Sequence, residues 1–493
     1  MITSNEYKKR LSKMRRNIYI DGKLVDREFP RMEGAVNTVA KTYDMIDDPE
    51  LKEYRDILTA KSHLTGETIN RFNHIHQSIA DLLAKQRMTR ITCHQVGGCI
   101  ARCMGIDSTN ALSVVTYLTD QKYGTEYHKR FEKWLRDFQA NDRTSCCAQT
   151  DVKGNRPWRP HEQKDPDLYL RIVERKSDGI VVRGAKVHNS VAPVVEQINV
   201  LPTRALTKEE GDWAVAFAVP ADAEGIKQIV SAAMYETPKG WGAPGPWGSA
   251  DSMTIFDNVF IPWDHVFLCG ETDMGGMLAL TFALYHRHSY TGCKPAVTDV
   301  LTGATALMAE VNGIEKEPHV RERLTELICT SELCYGTGIA AAINGYKSPS
   351  GTYVPDTMYC NTSRRHAGLN IYHEFDVLAD IAGGMPATLP RPGDWVNEET
   401  KPFIEKYMAR NPNVDVKDAL RAFAWVQALS CSEEAGVMQY AGVHGGGSPR
   451  MEQIAILGAY NLENTKNIAK RLAGIKTDKP YTFDRLGTTP NLK

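Results

Sequence analysis

The chain has 493 residues, of which 42% are apolar and 24% charged, with 59 Lys and Arg against 60 Asp and Glu for a net charge of −1. A chain of this length buries an ample core without disulfide staples, and its balanced charge offers nothing that favours nucleic acid or an anionic membrane as a partner. Met1–Arg16 is charged and lacks the apolar centre of a secretory signal, the longest apolar stretch, around Met277–Tyr285, is too short to span a bilayer, and the eleven cysteines follow no regular spacing, so reduced thiols in a cytoplasmic setting are expected.

Residues 1–145 read as a helical domain. Ile69, Phe72, Ile75, Ile79 and Leu82 recur at steps of three and four, which predicts an amphipathic helix, and Tyr127–Phe138 reads the same way. Residues 146–272 read as a β-domain. Asp167–Val173 alternates, Asp178-Gly179 is a turn, Ile180–Arg183 and Trp213–Val219 are strands, and Met253–Phe256, Asp257-Asn258 and Val259–Ile261 predict a hairpin. Pro and Gly crowd Pro238–Trp247. Residues 273–493 read as a helical bundle and tail, with periodic runs over 275–295, 320–345, 415–440 and 451–474. Gly445–Gly447 precede Ser448-Pro449, a helix cap followed by the first helical position.

Two groups of residues stand out. Cys99 and Cys103 are four apart, just after Gly97-Gly98. Far downstream, His286, Tyr290 and Cys293 follow at i, i+4 and i+7, with Lys294 next. If each group is helical, each lies on one helix face. Brought together they supply three thiolates and an imidazole, the ligand count of a tetrahedral metal site or of a cubane cluster with one non-cysteine ligand. Alone, a C-x3-C spacing is equally that of two small core residues, a helical histidine is ordinarily a core or interface residue, and Lys294 is ordinarily a solvated charge.

The order helices, β-domain, helical bundle, taken with three motif segments, resembles the 4-hydroxyphenylacetate 3-monooxygenase superfamily, whose fold is that of the acyl-CoA dehydrogenases. The segments are Gln149-Thr-Asp-Val-Lys-Gly-Asn-Arg156, Gly184-Ala-Lys-Val-His-Asn-Ser190 and Asp380-Ile-Ala-Gly-Gly384. Cys99, Cys103 and His286-x3-Tyr290-x2-Cys293-Lys294 are similar to the motifs that mark the 4-hydroxybutyryl-CoA dehydratase/vinylacetyl-CoA isomerase branch. The resemblance implies an α+β chain with a helical N-terminal domain, a middle β-barrel domain and a C-terminal bundle packed into a homotetramer. It implies FAD held by Gln149, Thr150, Lys153, Asn155, Arg156, His188, Ser190, Gly383 and Gly384. It also implies a [4Fe–4S] cluster on Cys99, Cys103, His286 and Cys293, and catalytic roles for His286, Tyr290, Glu452, Lys294 and Asp251 on an acyl-CoA thioester. Arg364 and Arg365 are candidates to neutralise phosphates.

The implied reaction is the radical-type dehydration of 4-hydroxybutyryl-CoA to crotonyl-CoA, with isomerisation of vinylacetyl-CoA. The C3 hydrogen lost in that dehydration has no neighbouring carbonyl, and a positioned acid–base pair supplies only about 10²–10⁴-fold, so redox help from a flavin is needed. The family pattern carries Gln, Thr and Glu where this chain has Ala101, Ser190 and Asp251. The rival readings are a two-component FAD-dependent aromatic monooxygenase, a dehydratase of a different hydroxyacyl-CoA, and a redox-sensing binding module.

Overall fold

The computed structural model describes residues 1–235 and 246–479; most of the Pro- and Gly-rich stretch lies outside them. The chain is mixed α+β. Six strands form one sheet in the order Lys23–Val25, Ile18–Ile20, Ile226–Met234, Gly248–Pro262, Gly179–Ser190, Arg171–Arg175. Four form a second sheet, in the order Val266–Cys269, Val215–Pro220, Gln197–Val200, Ser145–Ala148. Both sheets are open, and among the described residues no ladder closes the barrel expected for the middle segment. Ile18–Ile20 comes from the N-terminal segment and pairs in parallel with Ile226–Met234.

One apolar core lies between the sheets, where Val182, Ile198, Phe217, Phe256 and Ile261 are fully buried. A second lies within the C-terminal helices around Leu301, Leu378, Leu420 and Phe423. The longest element is the 41-residue helix Thr272–Asn312, which packs against Ile79–Val96, Cys103–Tyr123, Pro318–Ile343 and Thr357–Ala382. Gly292 on that helix lets it approach Ile79–Val96 closely: a Cβ there would lie 2.0 Å from Thr89 Oγ1 and 2.2 Å from the Gln86 carbonyl.

Local chemistry overrode periodicity in five places. The stripe Ile69–Leu82 is not one helix: Thr68–Asn70 is a strand, Asn70 caps a short turn over Arg71–Asn73, and the helix starts at Ile79 behind the Ser78 cap. The expected hairpin at Asp257-Asn258 is a bulge inside one continuous strand, Gly248–Pro262; Phe256 faces Gly184 and Val259 faces Val182, with Asn258 left-handed at φ +55°. Asp167 belongs to a short turn, Pro166–Leu168, before the strand Arg171–Arg175. The run 415–440 is two helices, Val416–Cys431 and Glu433–His444, because the Ser432 hydroxyl accepts from Ala435 N and restarts the backbone. The run 451–474 is also two helices, Pro449–Ala459 and Leu462–Leu472, because the Asn461 side chain accepts from Asn464 N and starts the second; Ser448 caps the first as its sequence predicts.

Candidate functional site

Cys99 and Cys103 do not share a helix. Ile79–Val96 ends at left-handed Gly97, Ala101 is also left-handed at φ +52°, and Cys103 opens the next helix, Cys103–Tyr123. The loop between them turns back on itself, and the Ala101 N–H donates to Cys99 Sγ at 3.4 Å. His286, Tyr290, Cys293 and Lys294 do lie together, on Thr272–Asn312.

The two groups meet. Cys99 is in side-chain contact with Cys293, which raises its thiol pKa well above the ordinary range, and burial adds to the shift. Cys293 is raised in turn, first by contact with Cys93, and Cys103 is raised by burial and by Cys99. Cys103, Asp107 and His286 each offer a ligand atom, all within 4.8 Å of one another. The donor set is therefore four sulfurs and an imidazole in one locale, with Cys93, Cys103 and Cys293 buried and Cys99 and His286 half-buried. These thiols repel each other's ionisation, and a bound metal would reverse that, because its charge stabilises thiolates. The residues fit an iron–sulfur cluster. Cys93 is a sulfur that sequence reasoning missed; it lies six residues before Cys99, out of phase with any ligand spacing. Asp107 was also missed, although Cys103-x3-Asp107 is a legible same-face pair.

Around His286 the walls are charged. Asp107 Oδ2 lies 3.0 Å from His286 Nδ1, while Lys85 Nζ at 2.9 Å and Ser289 Oγ at 2.8 Å donate to Oδ1. Burial would raise Asp107, but Lys85 and His286 more than offset it and hold the carboxyl below its usual value. On the other side, Gly446 is left-handed at φ +98°, and a Cβ there would come within 3.4 Å of Arg364 Nε and 3.6 Å of His286 Cδ2. Glycine leaves that approach open.

Glu452, on the capped helix Pro449–Ala459, is buried 3.6 Å from Arg364 Nε, and its Oε1 has no hydrogen-bond partner. Burial raises its pKa, against the pull of Arg364 and Arg287. Arg364 is fully buried, donates Nε–H to Gly445 O at 2.8 Å and lies 4.4 Å over the Tyr290 ring; its two terminal nitrogens have no hydrogen-bond partner among the described residues. Tyr290 donates its hydroxyl to Gly442 O at 3.1 Å. Lys294 departs from the solvated reading: it is buried and bonds Glu374, and its Nζ is 3.0 Å from Thr298 Oγ1.

The flavin-candidate residues form a second locale. Ser190 and Asp251 are cross-strand neighbours, and the Ser190 hydroxyl donates a short hydrogen bond to Asp251. Burial raises the Asp251 carboxyl. His188 and Val191 flank Ser190 in left-handed conformations at φ +59° and +57°. For a β-branched residue such as Val191 this costs on the order of 1–3 kcal/mol, a strain typical of functional sites. Lys153 is left-handed at φ +75°, and burial and then Arg156 depress its ammonium. His188 is depressed by burial, with Asp251 opposing the shift and Lys153, Arg156 and His444 adding to it. Lys186 and Arg204 add to the depression of Lys153, against the opposing pull of Asp151. Such a self-repelling basic cluster beside a hydroxyl–carboxyl pair fits an anionic dinucleotide.

Gln149 donates Nε2–H to Ala279 O at 3.0 Å, and its own carbonyl and that of Thr150 accept from Lys186 Nζ and Val187 N. The Asn155 amide donates to Gln163 Oε1 at 3.1 Å. Gly383 and Gly384 end the helix Thr357–Ala382 in open space, and no hydrogen bond among the described residues joins them to the other flavin candidates. Glu434, unmarked in the sequence, lies near Asp251. It accepts from Ser249 N and Oγ at 3.2 and 2.7 Å, and burial pushes it up to about 8.

The chain matches the family described as 4-hydroxyphenylacetate 3-hydroxylase, N terminal, over residues 3–268 and C terminal over residues 276–474. It is 38% identical to the 4-hydroxybutyryl-CoA dehydratase/vinylacetyl-CoA-Δ-isomerase of Clostridium aminobutyricum, covering 97% of this chain and 100% of that protein. It is 27% identical to the 4-hydroxyphenylacetate 3-monooxygenase oxygenase component of Thermus thermophilus, over 87% and 88% of the two. An oxygen-tolerant archaeal 4-hydroxybutyryl-CoA dehydratase from N. maritimus superposes with a TM-score of 0.92 at 34% identity, over 97% of this chain and 96% of that one. With both halves matched and a full-length relative above a third identical, the chain belongs to the 4-hydroxyphenylacetate 3-hydroxylase family, within its 4-hydroxybutyryl-CoA dehydratase/vinylacetyl-CoA isomerase branch.

Proposed function

We propose that this protein dehydrates 4-hydroxybutyryl-CoA to crotonyl-CoA by a radical route and isomerises vinylacetyl-CoA, with FAD and a [4Fe–4S] cluster as cofactors. The observation that carries the reading is the convergence of half-buried Cys99 and buried Cys103 and Cys293 with the Asp107-bound His286, supported by the activity named for its 38%-identical relative. The three-part layout, with an acyl-CoA dehydrogenase-like arrangement over residues 1–145, 146–272 and 273–493, belongs to the same reading. So does a homotetramer, supported by exposed Ile328, Leu333, Ile339 and Ile343 on Pro318–Ile343 and Leu369 and Tyr372 on Thr357–Ala382.

Cys99, Cys103, Cys293 and His286 would hold the cluster, and Gln149, Thr150, Lys153, Asn155, Arg156, His188 and Ser190 the flavin, with Gly383 and Gly384 serving a neighbouring copy. When bound, the flavin supplies reversible one-electron oxidation of the substrate and the cluster a Lewis-acidic iron for the departing hydroxyl. Glu452 takes a substrate proton at Oε1, which has no hydrogen-bond partner among the described residues, with Arg364 holding its charge. Tyr290 handles a second proton through the hydroxyl now resting on Gly442 O. Asp251 orients the Ser190 hydroxyl toward the flavin. Lys294 neutralises Glu374 beneath Cys293 and so acts on the site through the helix.

The alternative of a two-component aromatic monooxygenase accounts for the basic flavin pocket and leaves the sulfurs without a task. The test is anaerobic purification of the wild type and of Cys99→Ser and Cys293→Ser. Iron, sulfide and dehydration of 4-hydroxybutyryl-CoA are expected to disappear together while FAD stays. Turnover that survives loss of iron would refute the reading.

A further inference from the structure

His286 is held on two sides. The ring of Phe282, one turn earlier, stacks on it with centroids 5.7 Å apart and planes 7° apart. Asp107, fully buried, takes the Nδ1 side. We infer that Asp107 is the positioning residue for His286: it accepts the Nδ1 proton, fixes the ring's rotation, and leaves Nε2 as the lone pair available to iron. This rests on the cluster reading above and deepens it.

The carboxylate is itself immobilised. Lys85, also fully buried, donates from Nζ to Asp107 Oδ1 at 2.9 Å and to the Tyr285 carbonyl at 2.9 Å. Ser289 Oγ donates to the same oxygen at 2.8 Å. Among the described residues Oδ2 bonds the imidazole alone. Asp107 therefore cannot rotate without breaking a buried, charge-assisted hydrogen bond. Its backbone is tied to the sulfurs, because Asp107 follows Cys103 by one turn of the same helix. Two helices thus each carry a sulfur ligand and one half of the His–Asp pair: Cys103 with Asp107, and Cys293 with His286. Nε2 has no partner among the described residues. A histidine that binds metal characteristically donates its other N–H to a carboxylate, which sets the tautomer and raises ligand basicity, and losing that partner costs about 10–100-fold in metal affinity.

The experiment uses the full-length protein purified without oxygen, as wild type, Asp107→Asn, Asp107→Glu and the double variant Lys85→Gln/Asp107→Asn. The double variant removes both buried charges at once, so no ammonium is stranded. Four quantities are read: iron per chain, acid-labile sulfide per chain, bound FAD, and the rate at which a ferrous chelator strips the iron. The carboxamide variants are expected to keep FAD and release iron about 10–100-fold faster than wild type, with Asp107→Glu between the two. A general loss of structure would lower FAD and iron together, so selective loss of iron separates positioning from folding. A double variant that holds its iron as long as the wild type overturns the inference and leaves the cluster standing. Iron without labile sulfide also overturns it, since a lone ion would use Asp107 itself as a ligand beside Cys103 and His286. A wild type that binds FAD but no iron refutes the cluster, and this inference with it.

Discussion

Replacing Lys294 by Met tests whether its ammonium is structural or chemical. Lys294 and Glu374 have side-chain exposures of 2% and 0%. Glu374 Oε2 accepts from Lys294 and, at 2.8 Å, from Thr298, while Oε1 has no partner. Lys294→Met leaves the buried carboxylate a single hydroxyl donor. Breaking a buried pair from one side costs about 3–5 kcal/mol, and with so little compensation the upper part of that range is expected. Lys294→Met/Glu374→Met removes both charges. It should cost about 1 kcal/mol or less, so the coupling between the sites is about 3 kcal/mol or more. The assay is urea unfolding followed by helix ellipticity, with iron content measured in parallel, because Cys293 is the adjacent residue. The double variant should regain both stability and iron. A Lys294→Met protein with the wild-type unfolding midpoint but no turnover would refute the structural assignment and return the ammonium to catalysis.

Glu434 gives a pH prediction. Burial pushes its carboxyl from an ordinary 4.5 up to about 8 in the folded protein, so between those limits the unfolded chain binds fewer protons than the folded one. Stability should therefore fall by about 1.4 kcal/mol per pH unit from this group alone as pH rises through that window. Glu434→Gln should flatten the slope, and an unchanged slope in pH-dependent unfolding would refute the assignment. Ser190→Ala takes the cross-strand donor from Asp251, a loss of about 1–3 kcal/mol; weakened FAD binding by fluorescence titration is expected, and unaltered binding would remove Ser190 from the flavin site. Gly292→Ala forces a Cβ against the Gln86 carbonyl and Thr89 Oγ1, which lie 2.2 and 2.0 Å from it. A destabilisation of about 1–3 kcal/mol or more is expected, and a wild-type melting temperature would show that the two helices can separate freely.

The amino-acid sequence by itself determined the class of the chain and the chemistry available to it. His286, Tyr290 and Cys293 lie on one helix because i, i+4 and i+7 is a property of local geometry, and Ser448-Pro449 starts a helix because a cap needs only its own neighbours. Tertiary structure decided the rest. Gly97 and left-handed Ala101 break the helix that a C-x3-C spacing suggests, and the thiols meet only because the loop folds toward Thr272–Asn312. Asp257-Asn258 is a bulge rather than a turn because a neighbouring strand pairs across it. Lys294 is buried because Glu374, 80 residues away, is buried against it. Asp107 finds His286 across 179 residues. Periodicity and capping act over a few residues, whereas burial, ion pairing and ligand convergence depend on which distant segments share a core, and that is fixed only once the chain has packed.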